Sequence, residues 1–193
     1  MTPLLPKPEV LEFLLARRSR PAKTLGGPGP GRDELETILT AAARTPDHGK
    51  LVPWRFAVAD EAAMARLADL ATRHVEALEL EPAKAEKAAA SFTQGAALIA
   101  VIAAPVASAK IPDWEQALSA GAVCLAAVNA ALAMGWGANW LTGPFSTHAP
   151  FLAEAFRCAD HEYAAGFIHI GRETVIPADR DRPELAAITT WLS

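Results

Sequence analysis

The apolar positions of the chain follow helical spacing over most of its length. A capping-box-like pair, Asp33 and Glu36, marks the start of one helix, which the pattern carries to about Arg44. The helix predicted over 114–134 is apolar on nearly every side, so we expect most of its surface to be buried. Predicted helices cover residues 8–18, 33–44, 61–80, 82–94, 114–134 and 148–157.

Shorter apolar or alternating runs predict four strands, at 54–59, 96–104, 138–143 and 163–171. The stretch GGPGPG at 26–31 is predicted to be a loop, because glycine and proline both interrupt regular structure. Residues 171–193 are predicted to form an extended tail that ends in Trp191 and Leu192 and packs on a partner subunit. Without a repeat or a linker, the pattern predicts a single α+β domain over 1–193, with helices enclosing a few strands.

Composition favours a soluble protein with a large core. The chain has 193 residues, 51% of them hydrophobic, and its net charge of −4 argues against nucleic acid or an anionic membrane as a partner. Cys124 and Cys158 form no CxxC pair and are expected to be reduced thiols. The N-terminus lacks the features of a signal peptide, and the 116–134 segment contains serine, glutamine and asparagine. We therefore expect a cytoplasmic protein that does not cross a membrane.

Several common kinds of site are disfavoured. GGPGPG does not follow a strand, and its prolines lack the backbone N–H groups that a phosphate cradle requires. The chain contains no GxxxxGK[ST], GxSxG or HExxH motif, and its five histidines lack the spacing of metal ligands. His169 is interpreted as a histidine of the core or of a sheet face. No metal site and no conventional catalytic constellation are predicted.

The first stretch that can carry chemistry is Arg17-Arg18-Ser19, where the first helix gives way to a loop. Guanidinium groups bind phosphate oxygens in a bidentate manner, and a serine hydroxyl adds a short hydrogen bond. The alternative is a solvated helix end, at which the helix dipole favours arginine. The sequence of this stretch alone does not decide between them.

Two further stretches have the same ambiguity. Arg44, His48 and Lys50 lie in the Pro-bounded loop of ARTPDHGKLVPW, which is either a binding loop or an ordinary polar turn. NWLTGP, with Trp140 and Thr142, suits a flat aromatic ligand that needs few polar contacts. It can equally be a packed strand with an interior tryptophan.

Taken together, RRS near the N-terminus, RTPDHGKLVPW and WEQALSAGA at the start of the long helix resemble the nitroreductase family. The resemblance runs from about residue 8 to residue 171, and it is closest to small single-domain members whose loop reads R-x-P-D-H. It implies an α+β fold with a central, mostly antiparallel sheet enclosed by helices. It also implies an obligate homodimer that binds FMN at the subunit interface.

The resemblance also implies roles for residues of this chain. Arg17, Arg18 and Ser19 would hold the phosphate and ribityl chain of FMN, and Arg44 and His48 would reach the same flavin from the other subunit. The remaining implied contacts are those of the isoalloxazine with Trp140, Leu141 and Thr142, and those of the nicotinamide nucleotide with Ala130, Ala131, Leu132, Ala133, Met134 and Gly135.

The activity implied is that of an FMN-dependent oxidoreductase, which passes electrons from NADH or NADPH to nitroaromatics, quinones or similar acceptors by a ping-pong mechanism. No catalytic side chain is required. The alternatives are a non-enzymatic flavin-binding or storage protein and another flavin chemistry, such as that of an oxidase or dehalogenase. Two positions depart from the family pattern: Pro21 replaces a basic residue, and Val52 replaces glutamine. Arg20 or Lys50 could supply the missing cation near the flavin.

Overall fold

The computed structural model describes residues 3–192, which form one sheet with helices on both faces. The strands are β1 (Leu25–Gly26), β2 (Trp54–Asp60), β3 (Ala97–Ala103), β4 (Gly137–Leu141) and β5 (Tyr163–Glu173). The helices are α1 (Pro8–Ala16), α2 (Arg32–Ala42), α3 (Glu61–His74), α4 (Pro82–Ala90), α5 (Asp113–Ala133) and α6 (Ala149–Phe156). Short single-turn helices, among them Ala22–Thr24 and His48–Lys50, lie in the connections.

Strand β5 organises the sheet. It pairs with β3 along most of its length, and its second half also pairs with β4, from Gly137 opposite Gly171 to Leu141 opposite Phe167. Its last residues pair with the short β1, while β2 completes the sheet beyond β3. Every pairing is antiparallel. The predicted α+β fold with an antiparallel sheet is therefore confirmed.

The two faces of the sheet lie in two hydrophobic cores. Alternate residues of β3 point to opposite faces, as the two-residue period of a strand requires. Ile99 and Val101 pack beneath α2 and α5, whereas Leu98 and Ile102 pack with the phenylalanines beneath α3 and α6. Cys124 of α5 is fully buried in the first core, and this burial raises the pKa of its thiol to about 12. This thiol is therefore protonated at neutral pH.

Several predicted boundaries are wrong. Helix α2 begins at Arg32 because the Glu34 carboxylate accepts a hydrogen bond from the backbone N–H of Gly31, at 2.9 Å, and so caps the helix. Asp33 and Glu36 are therefore not the capping pair. The helix predicted over 61–80 ends at His74, and that over 82–94 ends at Ala90; in both cases a single 3₁₀ turn follows.

Two further element boundaries differ from the predicted ones. Gly26, expected in a loop, pairs with β5 as part of β1, because β5 continues to Glu173. The first predicted helix stops at Ala16 instead of residue 18, so Arg17 already has an extended backbone, with ψ of 140°. Both arginines of the RRS stretch therefore follow the helix and do not form its last turn.

The expectation that the long helix is buried on most sides is wrong for a single chain. Trp114, Leu118 and Leu125 of α5 are 63%, 66% and 46% exposed, and α1 contains no buried residue. The opposite face of α5 packs on the sheet and on α2. By length and composition alone, α5 is the one helix within residues 3–192 that could cross a membrane.

Candidate anion site and the adjoining cleft

The backbone of the Arg17–Arg20 segment runs beside the start of β4. The N–H of Arg20 donates to the carbonyl of Ala138 at 2.9 Å, and the Asn139 side-chain amide donates to the carbonyl of Arg20, also at 2.9 Å. Because β4 is itself paired with β5, these bonds tie the segment to the central strand of the fold. The RRS side chains are therefore presented from a fixed backbone.

Both guanidinium groups of the RRS stretch are only partly satisfied. Arg18 donates from Nε to the carbonyl of Ala178 at 2.7 Å and from Nη1 to the carbonyl of Ser19 at 2.8 Å. Arg17 donates from Nη2 to the hydroxyl of Ser19 at 3.2 Å, and its Nε is buried with no hydrogen-bond partner. A buried donor without a partner is costly, and native structures contain few of them.

The charges of this cluster favour an anion as its ligand. Neither Arg17 nor Arg18 forms an ion pair with a carboxylate within residues 3–192. Burial, and then the positive charge of Arg182, lower the pKa of the Arg17 guanidinium. Arg182 itself has a weak contact with Asp179, at 3.4 Å. Three arginines therefore stand close together, and an anion with several oxygens would satisfy them.

Sequence reasoning missed Arg182. The run RDR at 180–182 is a visible cluster of charge in the tail, but only the folded structure brings it to Arg17. The tail reaches the cluster because Arg18 binds the carbonyl of Ala178. This first part of the tail thus packs on its own chain, while the packing of its end on a partner remains a prediction.

A cleft of about 630 Å³ adjoins the anion site. The chain enters its wall at Pro21 and Ala22, directly after the Arg17–Arg20 segment, and Leu141 and Thr142 line it from the end of β4. Trp140 lies outside this cleft, because successive side chains of a strand point to opposite faces. Its indole N–H donates to the carbonyl of Ala165 at 3.1 Å. The structure therefore brings Leu141 and Thr142, but not Trp140, to the cleft.

The second group of predicted site residues lies elsewhere on the chain. Arg44 is exposed just after α2, and His48 donates from Nδ1 to Oε2 of Glu115, at 2.8 Å, near the start of α5. The loop has an unusual backbone, since Lys50 and Val52 both have positive φ, at 56° and 50°. A β-branched residue rarely adopts this conformation. The N–H of Val52 is held by the carboxylate of Asp47 at 3.0 Å.

Helix α5 separates the loop that carries Arg44 and His48 from the Arg17–Arg20 segment. Glu115, the partner of His48, lies near its start, whereas Met134 directly follows its end and leads into β4 beside the RRS segment. Nineteen residues of helix correspond to about 28 Å. Within one chain, Arg44 and His48 are therefore not brought together with Arg17, Arg18 and Ser19.

The remaining predicted residues, 130–135, lie in the last turn of α5 and in the two residues that follow it. Ala130 and Ala133 line a shallow groove against α1, and Gly135, beyond the helix, has a φ of 83°. Ala131 is buried, while Leu132 is partly buried and Met134 is exposed. None of these six residues lines the 630 Å³ cleft.

Neither Arg20 nor Lys50, the two candidate cations for the flavin, lines the cleft. Arg20 donates from Nε to Oε2 of Glu173 at 2.9 Å, so its charge is already paired. Lys50 lies in the His48–Lys50 turn, with the second group of residues. The described lysines of the cleft are instead Lys23, Lys84 and Lys87.

Comparison with known proteins agrees with this architecture. The model of the Nitroreductase family matches residues 16–172. The chain belongs to the nitroreductase family. It is 33% identical over 163 residues to "Putative NAD(P)H nitroreductase YdjA" of Escherichia coli K12, covering 84% of this chain and 87% of that protein. It is 34% identical over 164 residues to "Putative NAD(P)H nitroreductase" of Haemophilus influenzae, covering 84% and 88%. The resemblance stated from the sequence is confirmed.

Solved structures confirm the nitroreductase-like fold. The nitroreductase-like family protein of Bacillus cereus superposes with a TM-score of 0.78 at 20% identity, covering 100% of this chain and 98% of its own. A Bacteroides fragilis nitroreductase, solved with bound FMN, gives a TM-score of 0.74 at 17% identity, covering 96% and 99%. At these identities the likeness concerns the fold.

Proposed function

We propose that this protein is an FMN-dependent oxidoreductase that passes electrons from NADH or NADPH to nitroaromatics, quinones or similar small acceptors. The observation that carries the proposal is the buried, unpartnered Nε of Arg17, beside Arg18 and Arg182 and next to a largely apolar cleft. The names of the Escherichia coli and Haemophilus influenzae relatives, and the FMN bound to the Bacteroides fragilis protein, support it.

The arginine cluster fits the terminal phosphate of FMN. A phosphate dianion would accept hydrogen bonds from Arg17, including its Nε, and would offset the repulsion between Arg17 and Arg182. The hydroxyl of Ser19 would add a neutral donor. Arg18, anchored to two backbone carbonyls, would hold the segment in place and direct its remaining N–H groups to the same anion.

The cleft fits the ring end of the cofactor. It begins directly after the phosphate-binding segment, and Leu141 and Thr142 supply an apolar side chain and a hydroxyl along one wall. Once bound, FMN would supply the two-electron transfer from the nicotinamide to the acceptor. The chain's own residues would position the ring and leave one face open, so that donor and acceptor use it in turn. This shared use predicts ping-pong kinetics.

We further propose that two chains complete each site. Within one chain, a stretch of α5 about 28 Å long separates Arg44 and His48 from the segment proposed to bind the phosphate. If these residues contact the same flavin, they must therefore come from a second copy of the chain. The exposed apolar stripe of α5, with Leu118 and Leu125, and the unburied α1 offer a surface for that copy. In a twofold dimer the same contacts occur twice, which gives two equivalent sites.

The test of the cofactor and activity is the visible spectrum of the purified protein. We expect a flavin spectrum, release of FMN on denaturation, and bleaching by anaerobic NADH or NADPH. FAD alone, or no flavin even after FMN is added, would refute the cofactor. Bound FMN that neither nucleotide reduces would favour the storage protein. Double-reciprocal plots should give parallel lines, whereas intersecting lines would indicate a ternary complex.

The test of the shared site is a mixed dimer. Arg17→Glu and His48→Glu should each abolish flavin binding when expressed alone. If the two residues reach one flavin from different chains, the mixed dimer has one intact site and one doubly damaged site, and it should bind about one FMN. Two different affinity tags on the co-expressed chains allow tandem purification of this species. Flavin content near zero would instead place both residues at a site within one chain.

A further inference from the structure

We infer that the acceptor site of this protein selects molecules that carry a carboxylate, through Lys23, Lys84 and Lys87 around the cleft. The inference rests on the proposed function, because it concerns the acceptor of the proposed oxidoreductase. It names an anionic aromatic acceptor, such as a nitrobenzoate, where the proposed function leaves the charge of the acceptor open.

Helix α4 directs two of the lysines to the cleft. Lys84 and Lys87, together with Ser91 beyond the helix, follow the spacing of one helical face, and all three line the cleft. On the adjoining side of the helix, Ala85 and Ala89 are buried, 3% and 6% exposed. Because this buried side fixes the rotation of the helix, the lysine side is held toward the cleft.

The third lysine comes from the other wall. Lys23 lies in the Ala22–Thr24 turn, in which the N–H of Thr24 donates to the carbonyl of Pro21 at 2.8 Å. Thr174 fastens the same turn to the end of β5, because its N–H and its hydroxyl both donate to the carbonyl of Thr24, at 3.0 and 2.8 Å. Ammonium groups from two separate and fixed segments therefore face one cleft.

The charge of these lysines has no internal partner. None of the described residues that line the cleft is acidic, and no lysine takes part in an ion pair in the described part of the chain. The protein as a whole has a net charge of −4, so the cleft is a positive region on an acidic molecule. Such a region concentrates anionic ligands.

The cleft matches an aromatic carboxylate in a second respect. Leu80 and Phe145 provide apolar surface beside the lysines, apart from the wall assigned to the flavin, so a ring can bury its faces while its carboxylate meets an ammonium group. The cofactor phosphate has cations of its own in Arg17, Arg18 and Arg182. The lysines are therefore available to a second anion, and their flexible stems suit carboxylates at different distances from the ring.

The test compares two acceptors of nearly equal shape on the FMN-loaded protein, 4-nitrobenzoate and neutral 4-nitrobenzamide. At low ionic strength we expect kcat/KM to favour the carboxylate about tenfold, as two weakly screened ammonium groups would give. The ratio of the kcat/KM value for the carboxylate to that for the amide should fall toward one at high salt and in a Lys84→Gln/Lys87→Gln double variant. Lys110→Gln, outside the cleft, is the matched control and should keep the wild-type ratio.

Binding provides a second readout. Non-reducible benzoate should perturb the flavin absorbance at a lower concentration than benzamide, and this difference should disappear in the double variant while FMN affinity stays unchanged. Equal use of both acceptors by wild-type protein would overturn the inference. Weaker FMN binding in the double variant would do the same, because the lysines would then face the cofactor.

The remaining outcomes separate the inference from the proposed function. Stopped-flow bleaching by NADH and NADPH reports on the donor alone. If the double variant slows this step and leaves the acceptor preference intact, the lysines bind the nucleotide and the inference is wrong. A protein that binds no FMN, or whose FMN neither nucleotide reduces, refutes the proposed function and the inference with it. A protein that is reduced normally but shows no carboxylate preference refutes the inference alone.

Discussion

Replacing Arg17 with alanine should change cofactor affinity and apoprotein stability in opposite directions. In the flavin-free chain the Arg17 side chain has a buried Nε without a partner, and burial, followed by the charge of Arg182, lowers the pKa of its guanidinium. Both features destabilise the apoprotein. With FMN bound, the same features become favourable, because the phosphate supplies the missing partner and the missing negative charge.

The magnitudes follow from the contacts. A hydrogen bond to a charged group contributes about 1.5–3 kcal/mol, so Arg17→Ala should weaken FMN binding about 10- to 150-fold. In the apoprotein, removal of a buried unpaired donor gains about 1–3 kcal/mol, part of which is lost with the packing of the side-chain stem. We expect a net gain of about 0.5–1 kcal/mol, which corresponds to a rise in Tm of about 1–4 °C for a chain of this size.

The assay is calorimetry of the apoprotein together with titration of FMN. Arg32→Ala is the matched control, because Arg32 has a side chain that is 89% exposed and pairs with Glu36 on the surface of α2. Its effect on either quantity should stay within about 0.5 kcal/mol. An Arg17→Ala apoprotein that is no more stable than wild type, with unchanged FMN affinity, would mean that Arg17 is an ordinary surface cation.

Three further predictions concern packing, pH and assembly. Gly166→Ala should destabilise the protein by about 1–3 kcal/mol in chemical denaturation, because the added Cβ would overlap the indole of Trp140; an unchanged midpoint would contradict this packing. Hydrogen bonds from Arg55 lower the pKa of Glu162 to about 2. The ionised carboxylate therefore contributes fully to the free energy of unfolding above its ordinary pKa of 4.5, and this contribution is lost as the pH falls through 2. Glu162→Gln should therefore cost about 2 kcal/mol at pH 7, and urea titrations should show the gap to wild type closing between pH 4.5 and 2. Leu118→Glu should raise the dissociation constant of the proposed dimer at least about 100-fold in sedimentation and lower FMN content, and a dimer of unchanged affinity would exclude this face from the interface.

The interior of the fold could be predicted from sequence because its patterns are local. The run that became β3 is apolar at every position, and it is buried on both faces of the sheet. The ends of elements were harder, as α2 shows. Glycine at 31 is a weaker capping signal than aspartate at 33, so sequence reasoning chose Asp33. The actual cap depends on the Glu34 side chain reaching back to the Gly31 N–H, which propensity alone does not reveal.

The candidate site could be predicted only where its residues are neighbours in sequence. Arg17, Arg18 and Ser19 are adjacent, so their suitability for phosphate is visible in the chain itself. The contact of Arg18 with Ala178 joins residues 160 positions apart, and Arg182 follows Ala178 in the same tail. The lysines of the cleft come from two distant segments for the same reason. No periodicity or motif encodes such proximity, because it follows from the pairing of β5 with its neighbours.

Helix α5 connects these observations. An apolar surface on all sides predicts burial on all sides, yet the folded chain covers only the face that meets the sheet and α2. The stripe left exposed runs along the same helix that separates His48 from Arg17 by about 28 Å. If a second copy packs its α5 against this stripe in antiparallel fashion, the start of one helix comes to the end of the other. This antiparallel packing would both bury the exposed stripe and bring His48 of one copy near Arg17 of the other. We therefore expect flavin binding and dimerisation to be lost together, with Leu118→Glu reducing FMN content even though it leaves every proposed contact to the flavin unchanged.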